Sequence, residues 1–383
     1  MKVVHLCLGA FFIDGYSYQE NLLPKYHVKQ GHDVTVIASL ETFDKEGRRT
    51  VLSSPSSYRD KNGFDVIRLA YKKPFRLNRI LRHYVGLKNA LERVAPDIIF
   101  IHGACFGDTP IVRRYIKKHP SVKLFADNHA DWINSAKNWL SLHILHPVIW
   151  RHYSKVIEPY MIKCYGVTPQ RCRFLKEMYH VNPNLVEYLP LGVDDDLIPE
   201  DRNGVRNSIR NKLGIKDSDV LIITGGKIDK LKNTHILLKA LEVINNPRVH
   251  LVICGVLTSE MEYLKESIDA NQNIHYLGWC DARRVMDCMI ASDLACFPGT
   301  HSTLWEQTVG VGIPGIFKRW PEMEHVNING NCEFVKGDDI GELSSLLESL
   351  LFTEKYSRMQ ELASEASRSF LYSEISKIAI SYV

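Results

Sequence analysis

Short apolar runs alternate with amphipathic stretches along the whole chain. In the first half, Met1–Gly9, Asp33–Ser39 (DVTVIAS), Asp65–Leu69, Asp97–His102 (DIIFIH) and Val122–Ala126 are brief and apolar or β-branched, and they read as strands. Tyr18–Gln30, closed by Gly31, and Arg76–Val94 carry helical spacing. The second half repeats the scheme. Strands are expected at Asp219–Thr224, His250–Gly255, Ile274–Leu277 and Leu294–Phe297, with helices at Thr234–Ile244, Glu260–Ala270, Ala282–Ala291 and from Thr303 onward. Strands alternating with helices build a parallel sheet covered on both faces. The expected fold is therefore α/β: two doubly wound, Rossmann-like domains facing across a cleft. The expected boundaries are 1–192 for the first domain, 193–217 for a linker rich in Asp, Asn, Gly and Arg, 218–365 for the second domain, and 366–383 for a terminal helix packing back on the first. In such sheets ligands sit beyond the carboxyl ends of the strands.

Composition removes several alternatives. With 383 residues, 45% of them apolar and 24% charged, the chain can bury ordinary cores without disulfides or structural metal. Against 44 acidic residues stand 48 Lys and Arg, too small a surplus to point to nucleic acid. Nine scattered cysteines with no CxxC argue against a disulfide framework and against a zinc site. The apolar N-terminal run is interrupted by His5 and ended by Asp14, and no small-residue cleavage site follows, so it reads as a strand and not a signal peptide. No run reaches the ~18 apolar residues of a membrane-spanning helix. A cytoplasmic protein is expected.

Four segments carry candidate chemistry. In TGGKIDKLKN, Gly225 and Gly226 are expected to turn the chain after a strand, ahead of Lys227, Lys230 and Lys232, which can neutralise phosphate. It is neither a Walker loop nor GxGxxG. In GTHSTLWEQTVGVGIPGIF, a loop with His301, Ser302 and Thr303 opens a helix, and Thr303–Glu306 fits a T-x-x-E capping box. Glu306 at a helix start also suits ribose hydroxyls, with the nearby hydroxyls and amides gripping a phosphate. FADNHADW places Asp127 and His129 at a strand's carboxyl end, where an α/β site is expected. The loop after the first strand holds only Gly15 between Phe11 and Glu20, which excludes a dinucleotide fingerprint.

Two further stretches are suggestive. Tyr71–Arg93 has seven Lys and Arg against one Glu, among them Lys72, Lys73, Arg76, Arg79 and Arg82. Ile80, Tyr84, Leu87 and Leu91 form an apolar stripe in the same stretch, and such a helix suits an anionic membrane surface. The aromatic run Trp139–Tyr179 reads mainly as core.

Over nearly the whole chain, the order of these motifs resembles family 4 glycosyltransferases of the GT-B fold. VKQGHDVTVIA at Val28–Ala38 is similar to that family's ARRGHEVTVI, and LGVD at Leu191–Asp194 to its NGVD linker. Gly226-Lys227-Ile228 followed by Lys232-Asn233 resembles GRL…KG. YLGW, SDLACFP and the approach to GVGIPGIF follow in family order. There are departures. The loop before Glu306 is about three residues short, and the first glutamate of the family's E-x7-E hallmark is missing, with His301 or Ser302 near its place. Counting back from Pro314 puts Gln307 in register with the second glutamate.

The resemblance implies a retaining transferase that moves a sugar from a nucleotide-sugar, most often a UDP-sugar, to a glycan or polyprenyl-linked acceptor in surface polysaccharide synthesis. It implies no cofactor and no metal, and a peripheral location at the inner face of the cell membrane. It places Lys227 and Lys232 on the diphosphate, Glu306 or Gln307 on the ribose, Gly15 near the diphosphate and His129 beside the transferred sugar. The expected catalytic group is His129, Asp127 and Lys232. The other readings are a sugar-nucleotide epimerase on the same fold and a degenerate partner subunit.

Overall fold

The apolar runs of the first half become neighbouring strands of one sheet, as a computed structural model of residues 1–44 and 48–382 shows. The strands of this half are β1 (Lys2–Cys7), β2 (Asp33–Ala38), β3 (Glu41–Phe43), β4 (Arg49–Val51), β5 (Ser57–Arg59), β6 (Asp65–Arg68), β7 (Ile98–Ile101), β8 (Lys123–Asn128), β9 (Met161–Gly166) and β10 (Val186–Tyr188). Eight of them order as β10-β9-β8-β7-β1-β2-β6-β5, and β3 and β4 form a separate hairpin. Pairing is parallel except at the β5–β6 edge. The inner strands are buried along nearly their whole length, as a sheet covered on both faces requires.

The second half forms a sheet of six parallel strands in the order β13-β12-β11-β14-β15-β16. They are β11 (Val220–Ile228), β12 (Val249–Leu257), β13 (Ile274–Gly278), β14 (Leu294–Phe297), β15 (Gly315–Lys318) and β16 (Cys332–Val335). One apolar core lies on each face, one around Leu237 and Leu347, the other around Trp305 and Met289. Both halves are doubly wound α/β domains.

The chain divides into Met1–Pro190 with Ile375–Val383, and Leu191–Glu374. The 193–217 stretch, expected as a linker, instead carries a helix over Arg202–Lys212 and belongs to the second unit. Arg210 is the cause. Its buried guanidinium donates to the carbonyls of Lys216 and Asp219 and to Asp293, which fastens the helix to the sheet.

Two other expectations change. Arg76–Val94 is not one helix but two, Phe75–Leu81 and Leu87–Val94. The break comes from Tyr84, whose N–H donates to Asp108 Oδ2 at 2.6 Å and whose hydroxyl donates to the Leu8 carbonyl, pulling it into the core. The glycines of TGGKI do not turn the chain. Gly225 and Gly226 lie inside β11, in register with Cys254 and Gly255, and the turn comes later, at Lys230–Asn233.

Candidate active site

In each sheet the strand order reverses at one point, between β1 and β7 in the first domain and between β11 and β14 in the second. In open α/β sheets, ligands bind beyond the carboxyl ends of the strands at such a point.

In the first domain the loops after β1 and β7 stay close: the Ala10 N–H donates to the His102 carbonyl at 2.7 Å. Gly103 permits the approach. Its φ is +73°, and a Cβ there would meet Ala10 N at 2.8 Å. Its N–H points at Asp127, the penultimate residue of β8, and donates to Oδ1 at 2.8 Å. The Asp127 carboxylate is fully buried. His102 Nδ1 lies 2.9 Å from its Oδ2, His129 Nε2 lies 3.3 Å from its Oδ1, and the Gln19 amide approaches Oδ2 at 3.4 Å. Glu20 Oε1 lies 3.9 Å from the same His129 nitrogen, Nε2. Burial favours the neutral acid, but the imidazoles of His129 and His102 outweigh it and hold Asp127 well below the usual carboxylate range. Burial disfavours charge on His129 as well. Asp127 and then Glu20 reverse this and raise its pKa. Both shifts favour the charged forms, an imidazolium facing a carboxylate.

In the second domain the loop after β11 meets the loop after β14. Lys232 Nζ donates to the carbonyls of Thr300 (2.8 Å) and His301 (3.2 Å), and the Thr300 N–H donates to Leu231. Gly299 allows the contact, since a Cβ there would sit 2.3 Å from the Leu231 oxygen. Burial lowers the Lys232 pKa, with Asp229 opposing. From His301 the chain enters the helix Leu304–Val311.

Glu306, in the first turn of that helix, does not form the expected capping box, because Thr303 makes no side-chain cap bond. Its Oε1 instead accepts from His301 Nε2 and His325 Nε2, both at 2.8 Å. Burial opposes the charge, and the two imidazoles outweigh it, holding Glu306 ionised well below the usual range. Oε2 is buried with no partner among the described residues. The imidazoles converge on Glu306, while Gln307 is half-buried one residue on.

The structure thus gathers Asp127 with His129, and Lys232 with His301 and Glu306. Ser302 Oγ accepts from the Leu304 N–H, and Thr303 is exposed at the helix start. Lys227 and Gly15 are exposed. His325, His102 and Gln19 were missed. A histidine ending an otherwise apolar strand (DIIFIH) was the available signal for His102; nothing in the sequence singles out His325. Among the described residues, two groupings bring three ligand-type atoms within 4.8 Å, Glu20/His102/His129 and His301/Glu306/His325. In the second, His301 and His325 hydrogen-bond Glu306; in the first, His129 Nε2 and Glu20 lie 3.9 Å apart.

The expected basic row is not a free patch. Arg79 clamps the buried Glu41 with two bonds, Lys72 pairs with Asp108, and Arg82 donates to the Cys105 carbonyl. Lys73 and Arg76 are exposed. So are Phe75, Leu77 and Ile80 on the same short helix, whereas Tyr84, Leu87 and Leu91 are core. The aromatic run also departs from its expected burial. Trp150 and Tyr165 are buried, but Trp139 is 68% exposed, and Leu140 and Val148 beside it are exposed too.

Family models match both domains. The model described as Glycosyltransferase Family 4 covers residues 23–197, and that described as Glycosyl transferases group 1 covers 205–361. The chain belongs to the family 4-type glycosyltransferases. A curated relative, the GDP-mannose-dependent monoacylated alpha-(1-6)-phosphatidylinositol monomannoside mannosyltransferase of Corynebacterium glutamicum, is 24% identical over 195 residues. That match covers 47% of this chain and spans half the length of the relative. Among solved structures, sucrose-phosphate synthase from Thermosynechococcus elongatus is similar at a TM-score of 0.68 with 13% identity, covering 100% of this chain and 98% of that one. Anabaena HepE in complex with UDP is similar at 0.65 with 14% identity, covering 100% and 99%. These likenesses establish the GT-B fold of this glycosyltransferase. Among the described residues, no helix is long and apolar enough to cross a membrane.

Proposed function

We propose that this glycosyltransferase moves a sugar from a UDP-sugar, with retention and without a metal, to a glycan or polyprenyl-linked acceptor in surface polysaccharide synthesis. The observation that carries the reading is Glu306: a buried, ionised carboxylate with one oxygen held by two imidazoles and the other buried and unpartnered among the described residues. A vicinal diol such as ribose supplies the missing donor.

Lys232 spends two of its three N–H donors on carbonyls and keeps one for a phosphate oxygen. Lys227, the amides near Gly225 and Gly226, and the helix start at Ser302 and Thr303 add positive potential. As the glycosidic bond breaks, negative charge grows on the departing diphosphate, and these groups stabilise it. In the first domain, His129 lies beside the transferred sugar, with Asp127 holding its charge.

Membrane association is part of the proposal. Phe75, Leu77 and Ile80 with Lys73 and Arg76, and Trp139, Leu140 and Val148 on the next segment, offer apolar and cationic groups to an anionic surface. Arg82, 4.9 Å from the Trp150 ring, ties the two segments together. The corynebacterial relative is named for transfer to a phosphoinositide glycolipid, which favours a lipid-linked acceptor.

The test is a thermal-shift screen with UDP, GDP, ADP and their sugar conjugates in EDTA, followed by NMR of the product's anomeric proton. A shift with UDP that Glu306→Ala abolishes, and an anomer matching the donor, are expected. A shift only with GDP overturns the donor, an inverted anomer overturns retention, and dependence on added metal overturns metal-free transfer.

A further inference from the structure

The first domain holds a cavity of about 860 Å³ whose residues belong to neither the Asp127 nor the Glu306 network. Two helices packed against each other, Leu87–Val94 and Thr109–Lys118, form much of its wall. Each lines it with two charged residues four positions apart, and so on one helix face. These are Lys88 and Glu92 on the first helix, Arg114 and Lys118 on the second. Lys118 Nζ lies 3.0 Å from Glu92 Oε1. With that acid taken, Lys88 and Arg114 line the cavity with no carboxylate partner among the described residues.

The other acid of the cavity, Asp108, is also engaged. Its Oδ1 lies 2.9 Å from Lys72 Nζ and 2.8 Å from His83 Nδ1, and its Oδ2 accepts the Tyr84 N–H. Four fixed cations therefore line the cavity against two carboxylates, and each carboxylate already has a lysine of its own. Two further cations sharing one cavity repel unless an anion joins them. The several acceptor oxygens of a phosphate suit a lysine and an arginine together.

The remaining wall points to more than a free ion. Ile111 and Tyr115 line the cavity beside Arg114, and the Tyr153 hydroxyl lies 3.5 Å from His83 Nε2. Lys72 and His83 flank the short helix that exposes Phe75, Leu77 and Ile80. Tyr153 follows the segment that exposes Trp139, Leu140 and Val148. The cavity is thus lined by the continuations of both apolar segments. We propose that it is a second binding site, separate from the transfer site, for the phosphate group of an anionic lipid. Lys88 and Arg114 hold the phosphate, and Ile111, Tyr115 and Tyr153 meet the apolar part. The lipid as source rests on the membrane association proposed above; the phosphate site does not.

The experiment is calorimetry of the full chain with three probes: dihexanoyl phosphatidate and dihexanoyl phosphatidylcholine, both below their micelle concentrations, and inorganic phosphate. Phosphatidate is expected to bind most tightly. The double variant Lys88→Ala/Arg114→Ala, at two exposed positions, is expected to weaken it roughly 10–100-fold. Glu92→Gln releases Lys118 and is expected to tighten it about 3-fold. Binding of no probe, or unchanged affinity in the folded double variant, overturns the site. Phosphatidylcholine bound as tightly as phosphatidate overturns recognition of the anion. Inorganic phosphate bound as tightly as phosphatidate supports the phosphate site and overturns the lipid as its source. Flotation with phosphatidylglycerol vesicles tests the membrane reading separately. The triple variant Phe75→Ser/Leu77→Ser/Ile80→Ser is expected to stop floating and to keep its affinity for dihexanoyl phosphatidate. If the wild type does not float, membrane association fails, and the soluble probes still decide the cavity.

Discussion

Asp127 and Glu306 are built from the same parts and finished differently. Each is a fully buried carboxylate near the carboxyl end of a strand, each faces two imidazoles, and each is held as an anion against burial. At Asp127 both oxygens are engaged, one by Gly103 and His129, the other by His102 and Gln19. At Glu306 both imidazoles fall on Oε1, and Oε2 has no partner among the described residues. An unsatisfied buried acceptor costs about 1–3 kcal/mol, which a ligand hydroxyl relieves on binding. The comparison teaches that a carboxylate with both oxygens engaged fixes a geometry, whereas one with an unpartnered oxygen keeps a place for a donor.

The comparison breaks most visibly in stability. Asp127→Ala strands the Gly103 N–H and the Gln19 amide and removes the charge that faces His102 and His129, and is expected to cost about 3–5 kcal/mol in urea unfolding, more than Glu306→Ala. Equal losses would erase the distinction. In nucleotide affinity the order reverses. By calorimetry, Glu306→Gln is expected to weaken donor binding by roughly 10–100-fold, the range for a hydrogen bond to a charged group. Asp127→Asn is expected to leave donor binding within twofold of wild type.

Acid sharpens the contrast further. His27 titrates at about 4 in the fold, below its ordinary ~6.5, so the unfolded chain takes up the proton first and stability falls as pH drops from ~6.5 toward 4. At pH 5 the loss from His27 is about 2 kcal/mol. Comparing melting of wild type and His27→Gln at pH 7 and pH 5 checks this, and the variant is expected to show the smaller drop. The depressed carboxylates act lower: their stabilisation is complete above ~4 and is lost only below it. His129, with a raised pKa, contributes below ~6.5 and loses that contribution as pH rises through its folded value. The smallest expected effect is that of His325→Gln, about 1 kcal/mol in donor binding, because His301 still holds Oε1.

The alternation of apolar runs was enough to read the central strands of both sheets, because strands buried on two faces leave a nearly continuous apolar signature, but not β5, β9, β10 or β16. The site was legible in part. Asp127, His129, Lys232, His301 and Glu306 stood out as polar groups where strands end. The pairing of Thr303 with Glu306 misled, since a capping box and a carboxylate held by distant histidines share one local pattern. The basic row misled for a related reason. Nothing near Arg79 in sequence announces Glu41, and nothing near Lys72 announces Asp108, so cations that are paired in the fold looked free.

The sequence by itself determined the two doubly wound sheets and the loops that carry the chemistry, because periodicity and turn residues act over a few positions. Only the tertiary structure decided charge states and partners. His27 and Ser376 are 349 positions apart, yet with His5 and His102 they form one row behind Asp127. His325 reaches Glu306 from 19 residues away. Burial sets how strongly such contacts act, and burial belongs to the packed fold, not to any local stretch of chain.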